Sequence, residues 1–269
     1  IDYLMEMDNL SSVALAAFGM SSAFFGYFLW SLSNQMQSSL SSIKDLDHSN
    51  PILKELKNRQ NEYELEADFA HQIRLESVSE LSFKTIAASG RNATILHYEN
   101  NDAPLAKDDL MLFDLGAKFN YYSADISRTY PLSGTFSNRQ KDIYELVLLA
   151  NKEAIKAVKV GVTWAELNKV ARDVLTNGAM DLGIITDPED ISHYYYHSVG
   201  HFLGLDTHDV GGYGVPLEEG MVITIEPGLY IKEEGIGVRI EDNVLVTKNG
   251  CENLSNEIIK EVQDIEAYM

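Results

Sequence analysis

Apolar residues recur every three to four positions in several blocks of the chain, the spacing that places side chains on one face of an α-helix. The block "NEYELEADFAHQIRL" sets Leu65, Phe69 and Ile73 four residues apart, with mostly polar residues between them. This pattern predicts a helix that buries those three side chains and turns its other face to water.

A second block, "QKDIYELVLLANKEAIKAVKVG", has the same spacing and predicts a helix that stops near Gly161. Its predicted buried face consists of Ile143, Val147, Ala150 and Ala154. In the next block, "TWAELNKVARDVL", Glu166 follows Thr163 by three residues, the pattern of a capping box, in which each side chain bonds the backbone N–H of the other residue. We therefore expect a further helix to begin at Thr163.

Other segments alternate apolar and polar residues, the period of a strand with one buried face. They are "DLMLFDLGAKFNYYSADISRTYP", in which the chain turns back as a hairpin, "MVITIEPGLYI" and "GVRIEDNVLVT". Helical and antiparallel strand blocks thus share a chain of 269 residues, which is near the upper size for a single core. We predict one large domain of the α+β class.

The first fifty residues differ from the rest. Residues 10–43 contain no charged side chain, and their pattern predicts a long helix followed by a polar connector. Four serines and two glycines dilute the most apolar part, and an acidic stretch precedes it, so we interpret it as a buried or interfacial helix rather than a membrane span or secretory signal. We leave residues 1–50 unassigned, and the start at Ile1 suggests a piece of a longer chain.

The chain carries 41 acidic and 21 basic residues, a formal net charge of −20. A phosphate backbone or an anionic membrane surface would be repelled by this charge, so we expect no nucleic-acid partner and consider a membrane partner unlikely on this ground. The single cysteine, Cys251, cannot form a disulfide within the chain. This cysteine usage is typical of a reducing compartment and predicts a cytoplasmic protein.

Four acidic residues stand where a strand would normally continue with an apolar residue: Asp114, Asp125, Glu226 and Glu241. Taken singly, each could be a turn cap or one half of an ion pair, with Arg239 or Lys232 as candidate partners of the two glutamates. Gathered together, they would repel one another by about 4 kcal/mol per pair at a separation of roughly 4 Å. Two divalent cations would supply the counter-charge that the few nearby basic residues lack, so the pattern favours a metal site.

The chain has seven histidines, and four of them fall within sixteen residues: His193, His197, His201 and His208. A structural role explains any one of them, but their density favours a functional cluster. Gly200 and Gly204 would allow the close backbone approach that a ligand of fixed geometry needs. We predict that His201 is a metal ligand and that the other three line the cavity as proton carriers or substrate donors. An oxygen-rich set with one imidazole suits Mn²⁺, Co²⁺ or Zn²⁺.

Five stretches of this chain resemble, in order and approximate spacing, the pita-bread metallopeptidases: "TIAASGRNATILHYENN", "FDLGAKFNYYSADISRTYPLSG", "HSVGHFLGLDTHDVGG", "LEEGMVITIEPGLYI" and "GVRIEDNVLVT". The resemblance runs from about Glu62 to the C-terminus and is greatest to Xaa-Pro aminopeptidase (aminopeptidase P) and Xaa-Pro dipeptidase (prolidase). It implies a pita-bread fold, a curved antiparallel sheet covered by helices, in a catalytic domain spanning residues 51–269.

The family's five metal ligands correspond here to Asp114, Asp125, His201, Glu226 and Glu241, and all five are present. The resemblance implies that Asp125 and Glu241 bridge two divalent ions, most often Mn²⁺. Asp114 would bind one ion, and His201 with Glu226 the other.

The resemblance also implies a substrate side, formed by His97, His197, His208, Arg239 and Tyr230. In that scheme His208 stabilises the tetrahedral intermediate, Glu226 transfers the proton, and His197 is the third catalytic residue.

Together these residues predict a hydrolase that removes the first residue from a peptide with proline in the second position, acting as a homo-oligomer. Xaa-Pro dipeptidase is the alternative, because "HDVGGY" is closer to prolidase. A non-catalytic binding module of the same fold and a methionine aminopeptidase are two further readings. The chain departs from the family at Ser198, where many relatives have glycine, and residues 1–60 do not match the domain that usually precedes the catalytic one.

Overall fold

A computed structural model describes residues 53, 55–75, 78 and 80–269 of the chain. The helix and connector predicted within the first fifty residues lie outside the described residues. The α-helices that lie wholly within the described part are α1 (Glu62–Leu75), α2 (Asn138–Ala157), α3 (Trp164–Asp181) and α4 (Val262–Tyr268). Two 3₁₀ helices span Gly90–Thr94 and Pro188–His193.

The strands of the described residues pair antiparallel throughout. They are β1 (Glu80–Leu81), β2 (Ile86–Ser89), β3 (Leu110–Leu115), β4 (Ala117–Phe119), β5 (Tyr122–Ser123), β6 (Ile126–Pro131), β7 (Val222–Ile225), β8 (Gly228–Ile231), β9 (Ile236–Arg239), β10 (Asp242–Thr247) and β11 (Gly250–Asn253). They form sheets in the orders β1–β4–β5, β2–β3–β6 and β7–β10–β11, and β8 pairs with β9.

The predicted helical faces are confirmed. Leu65, Phe69 and Ile73 are buried on α1. The predicted face of α2 is also buried, through Ile143, Val147, Ala150 and Ala154. Helix α2 packs against α3 and against strands β7, β8, β9 and β11, so these helices cover the sheets that carry the acidic residues. In the part of the chain that is described, no helix has both the length and the apolar character needed to cross a membrane.

The ends of the helices agree with the sequence in one case and differ in the other. Thr163 and Glu166 form the predicted capping box, with the Thr163 N–H donating to Glu166 Oε2 at 2.8 Å and the Glu166 N–H donating to Thr163 Oγ1 at 3.3 Å. The predicted stop at Gly161 is wrong, because α2 ends at Ala157. Gly161 lies in the following loop with a φ of 89°, a left-handed conformation that glycine adopts without strain.

The predicted hairpin between Asp114 and Asp125 is interrupted. Strands β3 and β6 do pair, with Asp114 opposite Ser127, but the intervening β4 and β5 pair with each other and join β1 in a different sheet. The chain leaves the β2–β3–β6 sheet at Gly116. A Cβ atom at this position would lie 2.3 Å from the carbonyl oxygen of Ala124. The bend leaves Asp125 just before β6, outside the regular strand pairing.

A buried ionic network fixes β10 to its neighbours. Asp242, which is fully buried, accepts hydrogen bonds from Arg128 Nη2 at 2.9 Å, Lys260 Nζ at 2.5 Å and Ser255 Oγ at 2.8 Å. Burial alone would raise the pKa of Asp242, but the positive charges of Arg128 and Lys260 outweigh it and hold this pKa well below its usual range. The charged carboxylate therefore links β6, β10 and the segment before α4.

Replacing Asp242 with asparagine is expected to lower the free energy of unfolding at pH 7 by about 3–5 kcal/mol, because Arg128 would stay buried without its counter-charge. Since the folded-state pKa of Asp242 is depressed, its contribution is fully present above the ordinary aspartate pKa of about 4. It declines progressively as the pH falls from that value through the depressed folded-state pKa, so it should be smaller at pH 3 than at pH 7 but not abolished. Urea unfolding of both proteins at pH 7 and at pH 3 measures the two effects.

The matched control is Asp173→Asn on α3, which removes an exposed pair with Lys169. The free energy of unfolding of this variant should fall by less than about 1 kcal/mol, because exposed ion pairs contribute little to stability. Equal losses for the two variants at pH 7 would contradict a stabilising role of the buried network.

Candidate metal centre and substrate cavity

The four anomalous acids meet at one cavity. Asp114 lies in β3 and Asp125 directly before β6, while Glu226 directly follows β7 and Glu241 lies between β9 and β10. All four line a cavity of about 440 Å³. Three of these positions lie just outside regular strands, where the backbone is free to turn a side chain out of the sheet face. The fold therefore gathers carboxylates that lie far apart in the sequence.

His201 joins the acids in this cavity. Its Nε2 lies 3.4 Å from Asp125 Oδ2 and 3.5 Å from Glu226 Oε1. Ligand atoms of Asp125, His201 and Glu241 all lie within 4.8 Å of one another, and these three residues are buried. One imidazole nitrogen and several carboxylate oxygens at such separations form a group that can hold a metal ion.

The backbone around His201 sets the orientation of its ring. Nδ1 lies 3.0 Å from the carbonyl oxygen of Phe202, which can only accept, so Nδ1 carries the proton and Nε2 offers its lone pair to the acids. The close approach predicted at Gly200 is confirmed, since a Cβ atom there would lie 1.9 Å from the carbonyl oxygen of Thr224. Burial lowers the pKa of His201 to about 4, which keeps the imidazole neutral, the form that binds metals.

Three carboxylate oxygens of the cluster are buried with no hydrogen-bond partner among the described residues: Asp114 Oδ1, Asp125 Oδ1 and Glu241 Oε1. An unpartnered buried acceptor costs free energy, and native structures contain few of them. Metal coordination would satisfy these oxygens. The side chains present therefore fit divalent cations by number, type and position.

Electrostatics lead to the same conclusion. Burial, followed by the negative charge of the neighbouring carboxylates, raises the pKa of Asp125 and of Glu241 well above their usual ranges. Burial, partly offset by Arg239, raises the pKa of Glu226 to about 8. The described residues thus supply little positive charge to this cluster of carboxylates, and a cation would supply it.

Arg239 contacts one of the acids and connects it to the histidine side of the cavity. Its Nη2 donates to Asp114 Oδ2 at 2.7 Å, whereas the sequence had suggested it as a partner of Glu226 or Glu241. Its Nη1 donates to the Tyr230 hydroxyl at 3.2 Å, and that hydroxyl lies 2.8 Å from His197 Nε2. A hydrogen-bonded chain thus runs from Asp114 to His197.

Both ring nitrogens of His197 are engaged. Nδ1 lies 2.8 Å from the carbonyl oxygen of Ser198, so it donates, and Nε2 accepts from Tyr230. Burial and the nearby charge of Arg239 lower the pKa of His197 to about 4. The imidazole is therefore neutral at working pH.

The other predicted histidines fall in two places. His97 and His208 line the same cavity as the acids, and the His208 ring stands edge-on to the His201 ring with centroids 4.3 Å apart. His193, which was expected to line the cavity, is exposed on a 3₁₀ helix with its Nδ1 3.8 Å from Asp190. That expectation is wrong because three tyrosines separate His193 from His197 and the chain turns towards the cavity only after them.

Several residues that hold the site were not predicted. Ser127 donates to Glu241 Oε2 at 2.9 Å, and Thr224 donates to Glu226 Oε1 at 3.4 Å. The Asn151 amide of α2 donates to the carbonyl oxygens of Ile225 and Ile240, at 3.1 Å each. These are the residues immediately before Glu226 and Glu241. The only signal in the sequence was a polar residue on the apolar face of α2.

The antiparallel sheets covered by helices, with this group of carboxylates and one histidine between them, define the pita-bread class of hydrolase fold. Solved structures agree: Pseudomonas aeruginosa aminopeptidase PepP is 39% identical with a TM-score of 0.81, covering 88% of this chain and 58% of that chain. Aminopeptidase P from E. coli with the inhibitor Pro-Leu is 32% identical with a TM-score of 0.80, and the match covers 88% of this chain and 57% of that chain.

Residues 48–248 match metallopeptidase family M24, and the chain belongs to that family. An Xaa-Pro aminopeptidase of Haemophilus influenzae is 44% identical over 227 residues, covering 77% of this chain and 53% of the relative. The Xaa-Pro aminopeptidase of Escherichia coli is 37% identical over 227 residues, covering 77% and 52%. The chain therefore spans about half the length of these curated relatives. Membership of a metallopeptidase family implies divalent metal ions at the acidic cluster.

Replacing Asn151 with aspartate is expected to weaken Mn²⁺ binding by about 10-fold or more, the usual effect of removing a group that orients metal ligands. The change keeps the shape of the side chain but removes the N–H donors that fix the residues before Glu226 and Glu241. Competition with a chelating dye measures the affinity. Asn138→Asp, the same change at an exposed position of α2, should leave it within twofold, and a similar loss in both variants would count against the role of Asn151.

Proposed function

We propose that this chain carries the catalytic site of an Xaa-Pro aminopeptidase, which removes the first residue of a peptide whose second residue is proline. The observation that carries the proposal is the gathering of five potential ligands around one cavity: Asp114, Asp125, His201, Glu226 and Glu241. The names of the Haemophilus influenzae and Escherichia coli relatives support the assignment.

In this proposal two divalent ions occupy the cluster. Asp125 and Glu241 would be shared between the two ions, Asp114 would hold one of them, and His201 with Glu226 would hold the other. Bound in this way, the ions would polarise a substrate carbonyl and lower the pKa of a water molecule. Four carboxylates and one imidazole favour Mn²⁺, with Co²⁺ and Zn²⁺ as alternatives.

The protein's own groups orient the substrate and move the proton. We assign proton transfer from water to the leaving proline nitrogen to the Glu226 carboxylate. Thr224 helps to orient this group through a hydrogen bond of 3.4 Å to Glu226 Oε1. His208, packed against the His201 ring at the cavity, is proposed to donate a hydrogen bond to the carbonyl oxygen as negative charge develops there.

The remaining substrate-side residues have positioning roles in this proposal. His97 lines the cavity and is assigned to substrate binding. His197, with both nitrogens engaged, holds the Tyr230 hydroxyl rather than transferring a proton. Arg239 joins that hydroxyl to Asp114, so these residues form one fixed wall of the cavity.

Selectivity for proline follows from the lack of a hydrogen on the proline nitrogen. A peptidase that recognises the scissile N–H has no donor to bind in an Xaa-Pro bond. A cavity that binds the free amine and the carbonyl of the first residue does not need that donor. Carboxylates and histidines around one cavity are suited to this mode of binding.

Xaa-Pro dipeptidase is the second candidate, supported by the "HDVGGY" stretch. Rates on an Xaa-Pro-Yaa tripeptide and on the corresponding Xaa-Pro dipeptide separate the two, and we expect the tripeptide to be preferred. A cytoplasmic location and assembly into a homo-oligomer stay predictions of this proposal.

Asp125→Ala is expected to reduce turnover of the tripeptide by at least about 1,000-fold and to lower bound metal together with it. The variant loses a bridging ligand, a metal contributes several kcal/mol of transition-state stabilisation, and each 1.4 kcal/mol is a factor of ten. Kinetics with added Mn²⁺ and elemental analysis provide the two readouts.

Asp206→Ala, an exposed acid in the loop after His201, is the control and should stay within twofold of the parent protein. Asp125→Ala protein that keeps both its metal and its activity would refute the bridging role. A parent protein that binds metal but hydrolyses neither peptide would instead support the non-catalytic binding module.

A further inference from the structure

A carboxylate outside the cavity is buried more completely than any of the acids in it. Glu62, in the first turn of α1, has no exposed surface. It accepts five hydrogen bonds: from Ser89 N at 2.7 Å, Ser89 Oγ at 2.8 Å, Asn92 Nδ2 at 3.1 Å, Tyr98 OH at 2.8 Å and Ala103 N at 3.0 Å. Its donors thus come from four different residues between positions 89 and 103.

The chemistry of a carboxylate explains why this position is acidic. An ionised carboxylate only accepts, at about four lone-pair sites, so one side chain can bind several donors at once. The donors of Glu62 are neutral, and among the described residues no lysine or arginine nitrogen forms an ion pair with it. Hydrogen bonds to a charged acceptor are the strong kind, and several of them offset the cost of burying the charge.

The bonded donors lie on both sides of two cavity residues. Ser89 is the last residue of β2, and the chain then passes through a 3₁₀ helix to Leu96 and His97, both of which line the cavity. The next residue, Tyr98, returns to Glu62 through its hydroxyl. We call residues 89–98 the 89–98 loop. The Glu62 carboxylate therefore binds this loop on both sides of the two residues that reach the cavity.

The opposite side of the 89–98 loop packs against the wall that carries Arg239. A Cβ atom at Gly237 in β9 would lie 2.0 Å from the carbonyl oxygen of Ala93, so the loop and the strand are in direct contact. The Tyr196 hydroxyl also donates to the carbonyl oxygen of Thr94 at 3.0 Å. Held on this side by backbone packing and on the other by Glu62, the loop has a defined position relative to the metal ligands.

We infer that Glu62 is a positioning residue for substrate binding: its buried carboxylate holds the 89–98 loop so that His97 and Leu96 stand at the cavity. This inference rests on the proposed function, because it assigns His97 to the substrate side. Glu62 does not touch the cavity and acts only through the loop.

The test is Glu62→Gln in the metal-loaded protein, assayed on an Xaa-Pro-Yaa tripeptide. The amide keeps the shape but replaces one accepting oxygen with a donor, so the donors to one side of the group lose their partner. We expect kcat/KM to fall by about 10- to 100-fold, the size of effect that a shift of about 1 Å in a substrate-contacting group produces. Most of the loss should be in KM, with metal content unchanged.

Glu66→Gln is the matched control on the same face of α1. Glu66 accepts one bond, from Asn101 Nδ2 at 2.9 Å, and a glutamine oxygen can accept it equally well. This variant should stay within twofold of the parent in both kcat and KM.

A double-mutant cycle with His97→Ala separates positioning from general stability. If Glu62 acts through His97, then adding Glu62→Gln to the His97→Ala variant should lower kcat/KM by less than about threefold relative to His97→Ala alone. The same full loss in both backgrounds, or a loss of active protein with KM unchanged, would overturn the inference in favour of a purely structural role.

Tyr98→Phe keeps the test decisive if Glu62→Gln does not fold. It removes one donor to Glu62 and preserves the buried ring, so KM should rise by about threefold or more, and an unchanged KM would overturn the inference. Failure of the proposed function is a different outcome, because the parent protein itself would then hydrolyse no Xaa-Pro peptide.

Discussion

Buried negative charge is the constraint on which this structure depends. Asp125 and Glu241 are buried, and with Asp114 and Glu226 they surround one cavity. Among the described residues, Arg239 is the one lysine or arginine that forms an ion pair with any of the four carboxylates. Burial and mutual repulsion raise the pKa of three of these carboxyl groups. A sheet could not keep such residues at the ends of its strands unless something else balanced their charge. The divalent ions implied by membership of family M24 would supply that balancing charge.

The second layer of the site consists of polar groups that support the residues at the cavity. Ser127 and Thr224 hold the two glutamates, Asn151 fixes the chain just before each of them, and Glu62 holds the loop that carries His97. The side chains of Asn151 and Glu62 are fully buried in the protein interior, where a hydrogen bond is stronger and an unmade one costs more. The geometry of the cavity therefore depends on polar residues of strands β6 and β7 and of helices α1 and α2.

Much of this arrangement could be predicted from the sequence, because local patterns determine it. The apolar stripe of α1, the capping box at Thr163 and the misplaced acids in apolar runs all follow from periodicity or from the cost of burial. Other features depend on the three-dimensional path of the chain between regular elements. At Gly116 the chain bends where the Ala124 carbonyl leaves no room for a side chain. His193 lies away from the cavity because it ends a 3₁₀ helix and the chain turns towards the cavity only after it. The spacing of residues in the sequence reveals neither feature.

Asn151 and Glu62 were missed for the same reason. A polar residue on a helix is ordinarily assigned to the solvated face. The folded chain shows instead that Asn151 binds residues 74 and 89 positions away in the sequence. Glu62 binds residues 27 to 41 positions away. Some of these partners are backbone C=O and N–H groups, which every residue has and which therefore leave no mark in the sequence. Supporting residues of this kind are hidden in a single sequence even when the ligands are evident.

The most direct test of the account is anomalous diffraction from a crystal of this protein grown with Mn²⁺. The account predicts two anomalous peaks among Asp114, Asp125, His201, Glu226 and Glu241, each within coordination distance of carboxylate oxygens. Side chains that diverge from one another, with no peak between them, would contradict it.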